Sequence, residues 1–409
     1  MQNILLLGKG ISNNALHQFM IKYGIEHDYF DLNAEFDYHY NLIIKGPGIY
    51  YQEEVIQKFI SLNKTIITDI EFIYWFLNRE YIAVTGGVGK TTTVMLIDQI
   101  INSTYPAISC GNIGYPMAQA ALDYKLYRYF ILELSSFQLK GTINFTPRIA
   151  VMLNLGANHL DYHQTIEDYH QSKFKITVNQ TEEDYLIYNC DDLDLVNLVK
   201  KSKAQKISFS LLNKKADAYI SGNYLYYQKE RIINVKKYSL AFKYNLLASV
   251  CVAKVLNIAN VKIWQEVMKF KQPVFRFEHM GKRIINDAKS TNIAATIGAL
   301  KELKNKKIYL ICGGYDRGEV LDGLIPYINN LEKVFAYGMT KEKIKTFFEK
   351  QKIEVIVSET LQESTLKALL SRNKQYILYS PMFASYDQYQ SYKERGKEFK
   401  EIINDYYRT

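Results

Sequence analysis

The run YIAVTGGVGKTTTVMLIDQI, from Tyr81 to Ile100, constrains the fold more than any other stretch of the chain. An apolar segment enters a turn built on Gly86, Gly87 and Gly89. Lys90, Thr91 and Thr92 follow, and then a helix-like segment. A triphosphate needs several N–H groups converging on its oxygens and a cation that reaches its terminal phosphates. Glycines let the backbone curl closely around those oxygens, and the helix behind adds its positive end. The Thr91 hydroxyl stands where such a loop contributes to a magnesium shell. The spacing is GxxGKT, tighter than the usual GxxxxGKT, because position 84 is Val. A glycine-rich turn with a surface lysine is the alternative; the bracketing by YIAV and TVMLI argues against it. The stretch therefore predicts a strand, a phosphate loop and a helix, with ATP and Mg2+ as ligands.

Around this loop the chain alternates apolar segments with helical ones, the pattern of a mostly parallel α/β sheet. At 409 residues it fits two or three domains. The first block opens with Asn3–Leu7, a GKG turn holding Gly8 and Gly10, and a helix to Tyr23. His27–Phe30 follows, ending on Asp31, then Leu42–Ile44 ending in KGPGI with Lys45 and Gly46. Strand, glycine turn, helix and a strand ending on an acid make a dinucleotide-type plan. GxG alone leaves a tight turn equally open. Further strands are expected at Tyr129–Leu132 and Ile149–Asn154, a hairpin over 223–235 and an apolar helix at Leu246–Leu256. The last block carries strands at Ile308–Cys312, Val334–Tyr337, Val355–Val357 and Tyr376–Tyr379. The predicted architecture is α/β in three parts: a Rossmann-like domain over 1–77, a central phosphate-loop domain over 78–273, and a Rossmann-like domain over 274–409.

Composition excludes some classes. The formal net charge is +9, which suits anionic small substrates; acids are interspersed with the lysines and the basic knots are short, so no nucleic acid partner is expected. Cys110, Cys190, Cys251 and Cys312 lie far apart without metal or disulfide spacing, as in a reducing cytosol. No apolar run reaches the roughly 20 residues a bilayer needs, and the N-terminus lacks a signal-peptide pattern. A cytoplasmic protein without a membrane partner is expected.

Ligands gather at the carboxyl edges of parallel sheets. Tyr129–Leu132 delivers Glu133 there, followed by SSFQL. Ile149–Leu153 leads into NLGANHLDYH, which brings His159, Asp161 and His163 just past the edge. Each alone has an ordinary reading, His159 as a loop histidine and Glu133 as a chance acid; three strand ends meeting the same requirement favour a site. Lys173 lies on a predicted helix beyond, where pattern does not separate it from Lys175.

Read together, these pieces resemble the Mur ligases, ATP-dependent amide-forming enzymes of bacterial peptidoglycan synthesis. TGGVGKTT, GNIGYP, ELSSFQL and NLGANHLDYH match in order through the middle, KGPGI and TDIEF before them. NDAKSTN, GGYDRG and SPMFASYDQY with ERGKEF follow. ELSSFQL and SPMFASYDQY resemble the D-glutamate-adding members. The resemblance implies Lys90 and the loop glycines on ATP phosphates, and Thr91, Glu133 and His159 on magnesium. It implies a carbamylated Lys173 at a second ion. It places Asn245, Asn292 and Asp316 toward the nucleotide, and Asn112 and Ser135 beside the muramoyl group. Asp31, Gly8, Gly10, Lys45 and Gly46 fall around a uridine diphosphate; Arg317, Ser385 and Tyr392 fall toward D-glutamate. The implied substrates are UDP-N-acetylmuramoyl-L-alanine and D-glutamate, handled by a monomer with hinges near 77–81 and 271–275. Other readings are a different Mur-type or folylpolyglutamate-type ligase, or a non-catalytic nucleotide-binding relative. The chain departs from the family pattern at Val88, Asn158 (usually Asp) and Arg317 (usually Lys). It also lacks the His-Asn pair before Asn245 and the His of PHRxE.

Overall fold

The computed structural model describes residues 3–35, 37–156, 160–281 and 283–408, with Leu160 and Asp161 described for their backbone only. The chain divides into two compact units, one formed by Met1–Gly156 with Tyr162–Phe270, the other chiefly by Lys271–Thr409.

The first unit holds two sheets. In the smaller, strands Asp28–Phe30, Ile4–Leu7, Leu42–Lys45 and Thr65–Ile67 lie side by side, all parallel. Their cores, LLL and LII, are apolar on both faces, as parallel strands covered by helices must be. The larger sheet runs Glu230–Asn234, Tyr224–Tyr227, Ala218–Ser221, Gln205–Ser210, Tyr185–Asn189, Ile149–Met152, Glu80–Thr85, Tyr129–Glu133, Ala107–Gly111. It is parallel except for the hairpin at its far edge. The phosphate-loop strand Glu80–Thr85 therefore sits between Ile149–Met152 and Tyr129–Glu133. Those are the strands expected to deliver the site residues.

One apolar core joins the two sheets: Leu6, Phe19, Ile44, Phe72 and Leu77 pack in the same cluster as Tyr81, Phe130, Met152 and Phe174. Glu71 locks the joint. Its buried carboxylate accepts from the backbone N–H groups of Ile143, Asn144 and Phe145 at 2.9, 2.7 and 3.0 Å, and from Trp75 Nε1 at 2.7 Å.

The second unit is a six-stranded sheet, Glu278–His279, Ile284–Asn286, Tyr376–Met382, Ile308–Gly313, Leu331–Tyr337, Glu354–Val357, parallel except for the first pair. Separate apolar clusters cover its faces.

Several elements differ from expectation, among them the strands Glu278–His279 and Ile284–Asn286, which no expected strand covers. Ala107–Gly111 is a strand that sequence reading left unassigned, because ISCG after Pro106 is short and weakly apolar. The helix expected at Leu246–Leu256 spans Leu240–Val255. Ser239 starts it by accepting from the Phe242 N–H, a cap that hydrophobic periodicity does not register. Among the described residues, no helix is long and apolar enough to cross a membrane.

Candidate nucleotide and metal site

The loop Gly86–Gly89 leaves its strand and enters the helix Lys90–Asn102 at the carboxyl edge of the large sheet. Asn154, from the neighbouring strand end, holds the loop in shape. Its Oδ1 accepts from Val88 N–H at 2.9 Å, its Nδ2 donates to Val88 O at 3.0 Å, and its carbonyl accepts from Gly87 N–H at 3.1 Å. Val88 uses only its backbone in these bonds. Gly89 has φ +91°, and a Cβ there would lie 2.6 Å from Asn245 Oδ1, so only glycine fits without strain. Asn245 also accepts from Thr93 Oγ1 at 3.3 Å. It thus stands against the loop's exit.

Two lysines meet on one carbonyl. Lys90 Nζ donates to Gly86 O at 2.7 Å, and Lys173 Nζ donates to the same oxygen at 3.0 Å. Lys173 is 2% exposed, and its Nζ lies 4.6 Å from the Tyr169 ring centre. Burial, reinforced by the Lys90 charge, holds the Lys173 amine well below the usual lysine range. The structure therefore separates Lys173 from Lys175, whose Nζ donates to the carbonyls of Lys140 and Thr142.

Glu133 ends its strand buried. Oε1 accepts from Asn112 Nδ2 at 3.1 Å, while Oε2 is buried with no hydrogen-bond partner among the described residues. An orphaned carboxylate oxygen costs free energy unless a cation or water meets it, so this atom fits a divalent ion. Thr91, at the first helical turn, is partly exposed. His159 and Asn158 lie outside the described residues. Among the described residues, no three His, Cys, Asp or Glu side chains cluster as a metal site; the described candidates are Thr91, Glu133 and, if it gains a carboxylate, Lys173.

Ser135 caps the helix Ser136–Lys140: its Oγ accepts from Gln138 N–H, and Gln138 Oε1 accepts from Ser135 N–H at 3.1 Å. SSFQ is a capping-box sequence, a local signal that sequence reading did not use. His163 is buried, with Nε2 2.8 Å from Ser136 Oγ and Nδ1 3.1 Å from Asp168 Oδ2. Burial lowers its pKa while Asp168 pulls it back. It braces two helices.

At the smaller sheet, Gly8 (φ +91°) turns the chain into the helix Ile11–Lys22, with Gly10 at its N-cap. A Cβ on Gly8 would lie 2.7 Å from Ile49 Cδ1, so the GKG turn and the KGPGI turn adjoin at one edge. Gly46 N–H donates to Leu7 O at 2.9 Å. Asp31 accepts from Leu32 N–H. Lys45, by contrast, is fully buried; its ammonium faces inward.

In the second unit, Asn292 caps the helix Ile293–Glu302 by accepting from Ala295 N–H at 2.9 Å. Asp316 accepts from Lys343 Nζ at 2.6 Å and from Gly318 N–H at 3.0 Å. Burial would raise its pKa, but Lys343 above all holds it low. Arg317 Nη2 donates to Thr291 O at 2.9 Å. Ser385 is buried, and its carbonyl accepts from Tyr389 N–H at 2.9 Å. Lys289 Nζ lies 3.9 Å from the Tyr392 ring centre. Lys289 stands inside NDAKSTN, yet sequence reading assigned it nothing. Fully buried Arg395 donates to the carbonyls of Ala288, Phe383 and Ala384, next to Lys289 and Ser385.

A parallel sheet that carries a glycine turn, a lysine and a helix N-terminus at its carboxyl edge, with a buried acid ending the adjacent strand, defines a nucleoside-triphosphate-binding α/β protein. Residues 84–261 match the Mur ligase middle domain. The chain is 36% identical to the UDP-N-acetylmuramoylalanine--D-glutamate ligase of Oenococcus oeni, over 99% of this chain and 97% of that protein. It is 37% identical to the enzyme of that name from Bacillus cereus strain ATCC 14579, over 89% and 83% of the two chains. Among solved structures, MurF ligase from Thermotoga maritima in complex with ADP gives a TM-score of 0.63 at 16% identity, covering 99% of this chain and 94% of that one. A pseudomurein peptide ligase type C from Methanothermus fervidus gives 0.65 at 15%, covering 99% and 100%. These structures share the fold. By its sequence, this chain belongs to the Mur ligases.

Proposed function

We propose that the protein joins D-glutamate to UDP-N-acetylmuramoyl-L-alanine at the expense of ATP, giving UDP-N-acetylmuramoyl-L-alanyl-D-glutamate, ADP and phosphate. The observation that carries this reading is 36% identity to a ligase of that name across nearly the whole of both chains. A carboxylate resists attack by an amine because its oxygen is a poor leaving group. Transfer of the ATP γ-phosphoryl to the alanyl carboxylate gives an acyl phosphate; the D-glutamate amine then attacks its carbonyl carbon, and phosphate departs.

In this reading the chain supplies three things. The loop 86–89 and the helix behind it orient the phosphates, and Lys90 swings from the Gly86 carbonyl to the γ-phosphoryl oxygens, where it offsets charge between two anions. Glu133 and Thr91 would hold magnesium, with His159 as a third ligand, and the bound ion would supply positive charge toward the phosphates. Lys173 suits carbamylation because burial and the Lys90 charge favour its neutral amine, the form that adds to carbon dioxide. The carbamate would place an anion beside Gly86 for a second ion. We assign 1–77 to the uridine nucleotide, 78–273 to ATP and metal, and 274–409 to D-glutamate, with Arg317, Ser385 and Tyr392 on the amino acid and Asn292 and Asp316 on the nucleotide.

The test is phosphate release with UDP-N-acetylmuramoyl-L-alanine, Mg-ATP and each glutamate enantiomer. Turnover with D-glutamate and not L-glutamate, reduced at least about a hundredfold in Lys90→Ala, is expected. No turnover with either enantiomer overturns the reading.

A further inference from the structure

Lys45 is a fully buried lysine with no carboxylate in ion-pair range among the described residues. It lies at the carboxyl end of the strand Leu42–Lys45, beneath the turn that meets the Gly8 turn. Its Nζ donates to Ile49 O at 2.9 Å and to Tyr162 OH at 3.0 Å, with Gly46 O at 3.5 Å. The Tyr51 and Tyr162 rings lie 4.6 and 5.6 Å away.

We propose that Lys45 is a positioning residue for the nucleotide-linked substrate, its ammonium gathering the Gly46 and Ile49 carbonyls inward so that the turn shows the diphosphate no negative dipole end. This rests on the reading that the turn 45–49 meets the uridine diphosphate. A diphosphate approaching a turn is repelled by carbonyl oxygens and attracted by N–H groups. An internal cation that collects the oxygens favours the second arrangement. Tyr162 fixes the cation from the other side: it packs on Phe137 and Tyr50 at centroid distances of 4.1 and 5.2 Å.

A consequence is proton-linked binding. Burial first, then the Lys140 charge, lowers Lys45 to about 7, with Asp69 opposing. The charged and titratable groups facing it are Asp69, Lys140, Tyr51 and Tyr162, with Asp168 beyond in an ion pair with Lys140 at 2.6 Å and His163 on Asp168. Above pH 7 the free protein has partly lost this proton, and a bound diphosphate diester favours its return.

The test is calorimetric titration of the full chain with UDP-N-acetylmuramoyl-L-alanine at pH 7.8, in two buffers of different ionisation enthalpy. That ligand has no group titrating near pH 7.8. Expected is uptake of a fraction of a proton, with Kd weakening up to about tenfold per pH unit above 7. Lys45→Met should bind more weakly without proton uptake; Lys45→Arg keeps the charge and should bind without uptake. Urea unfolding of each variant establishes that it is folded. Buffer-independent heat in the native chain, or unchanged uptake in Lys45→Met, overturns the Lys45 proposal while leaving the ligase reading intact. No binding at all overturns that reading instead.

Discussion

At the scale of single residues, the described site is a set of charges in unusual company. Lys173 provides one prediction. If its amine is converted to a carbamate, activity should fall when carbon dioxide is stripped from the buffer, and Lys173→Ala should lose turnover by about a hundredfold and regain part of it with added formate or acetate. Full activity of Lys173→Ala without added carboxylate would sink the role. Lys45 provides another, in stability. An unfolded lysine keeps its proton to about 10.5, whereas folding holds Lys45 near 7. Below 7 both states are protonated and the burial cost is paid in full. Between 7 and 10.5 the unfolded chain binds more protons, so the contribution of this group to stability rises with pH. Lys45→Met should therefore exceed the native chain in urea midpoint at pH 6.5, and the gap should shrink by pH 9.5; a gap that stays constant refutes the shift. How much of this was legible differs by residue. Lys90 and Glu133 could be found because a glycine turn and an apolar strand point at them. The inward direction of Lys45 could not, because KGPGI has no period that fixes which way a side chain faces. Lys289 and Arg395 lay inside quoted motifs, but their roles depend on rings and carbonyls brought from elsewhere in the chain.

At the scale of elements, the longer parallel strands are easy to read because burial on both faces makes them continuous apolar runs, whereas short ones such as Ala107–Gly111 and Ile284–Asn286 are not. The starts of helices were harder, as Ser239 and the Ser135–Gln138 box illustrate, since a cap is one side-chain bond rather than a pattern. Glu71 belongs here. One carboxylate serving three backbone donors and an indole binds the helix Asp69–Phe76 to the segment Ile143–Phe145. Glu71→Ala would leave buried Phe145 N–H and its neighbours without their acceptor. A loss of about 1–3 kcal/mol for each buried donor left unmet is expected by urea unfolding, with KM for ATP little changed in whatever fraction stays folded. A loss under about 1 kcal/mol would mean that water replaces the carboxylate and that the joint is not locked there.

At the scale of the whole molecule, the question is which parts of the chain unfold together. Sequence reading placed flexible points near 77–81 and 271–275, one at each change of block. These two places differ in what crosses them. Leu77 and Tyr81 are both buried in the core that joins the first two sheets, so bending there would expose apolar surface on both sides at roughly 25 cal/mol per Å². Near 271 the situation is reversed. Val267 belongs to a cluster of the first unit and Phe275 to a cluster of the second, while Lys269, Lys271 and Gln272 between them are exposed. A protease needs an exposed segment that can leave its neighbours without unfolding a core. Limited trypsin digestion should therefore cut first at Lys269 or Lys271 and leave residues 1 to about 270 as one resistant fragment. That fragment should melt in a single transition, because its two sheets share their interior. Early cleavage at Arg79, or two separate transitions within the fragment, would show that the common core is too weak to join them.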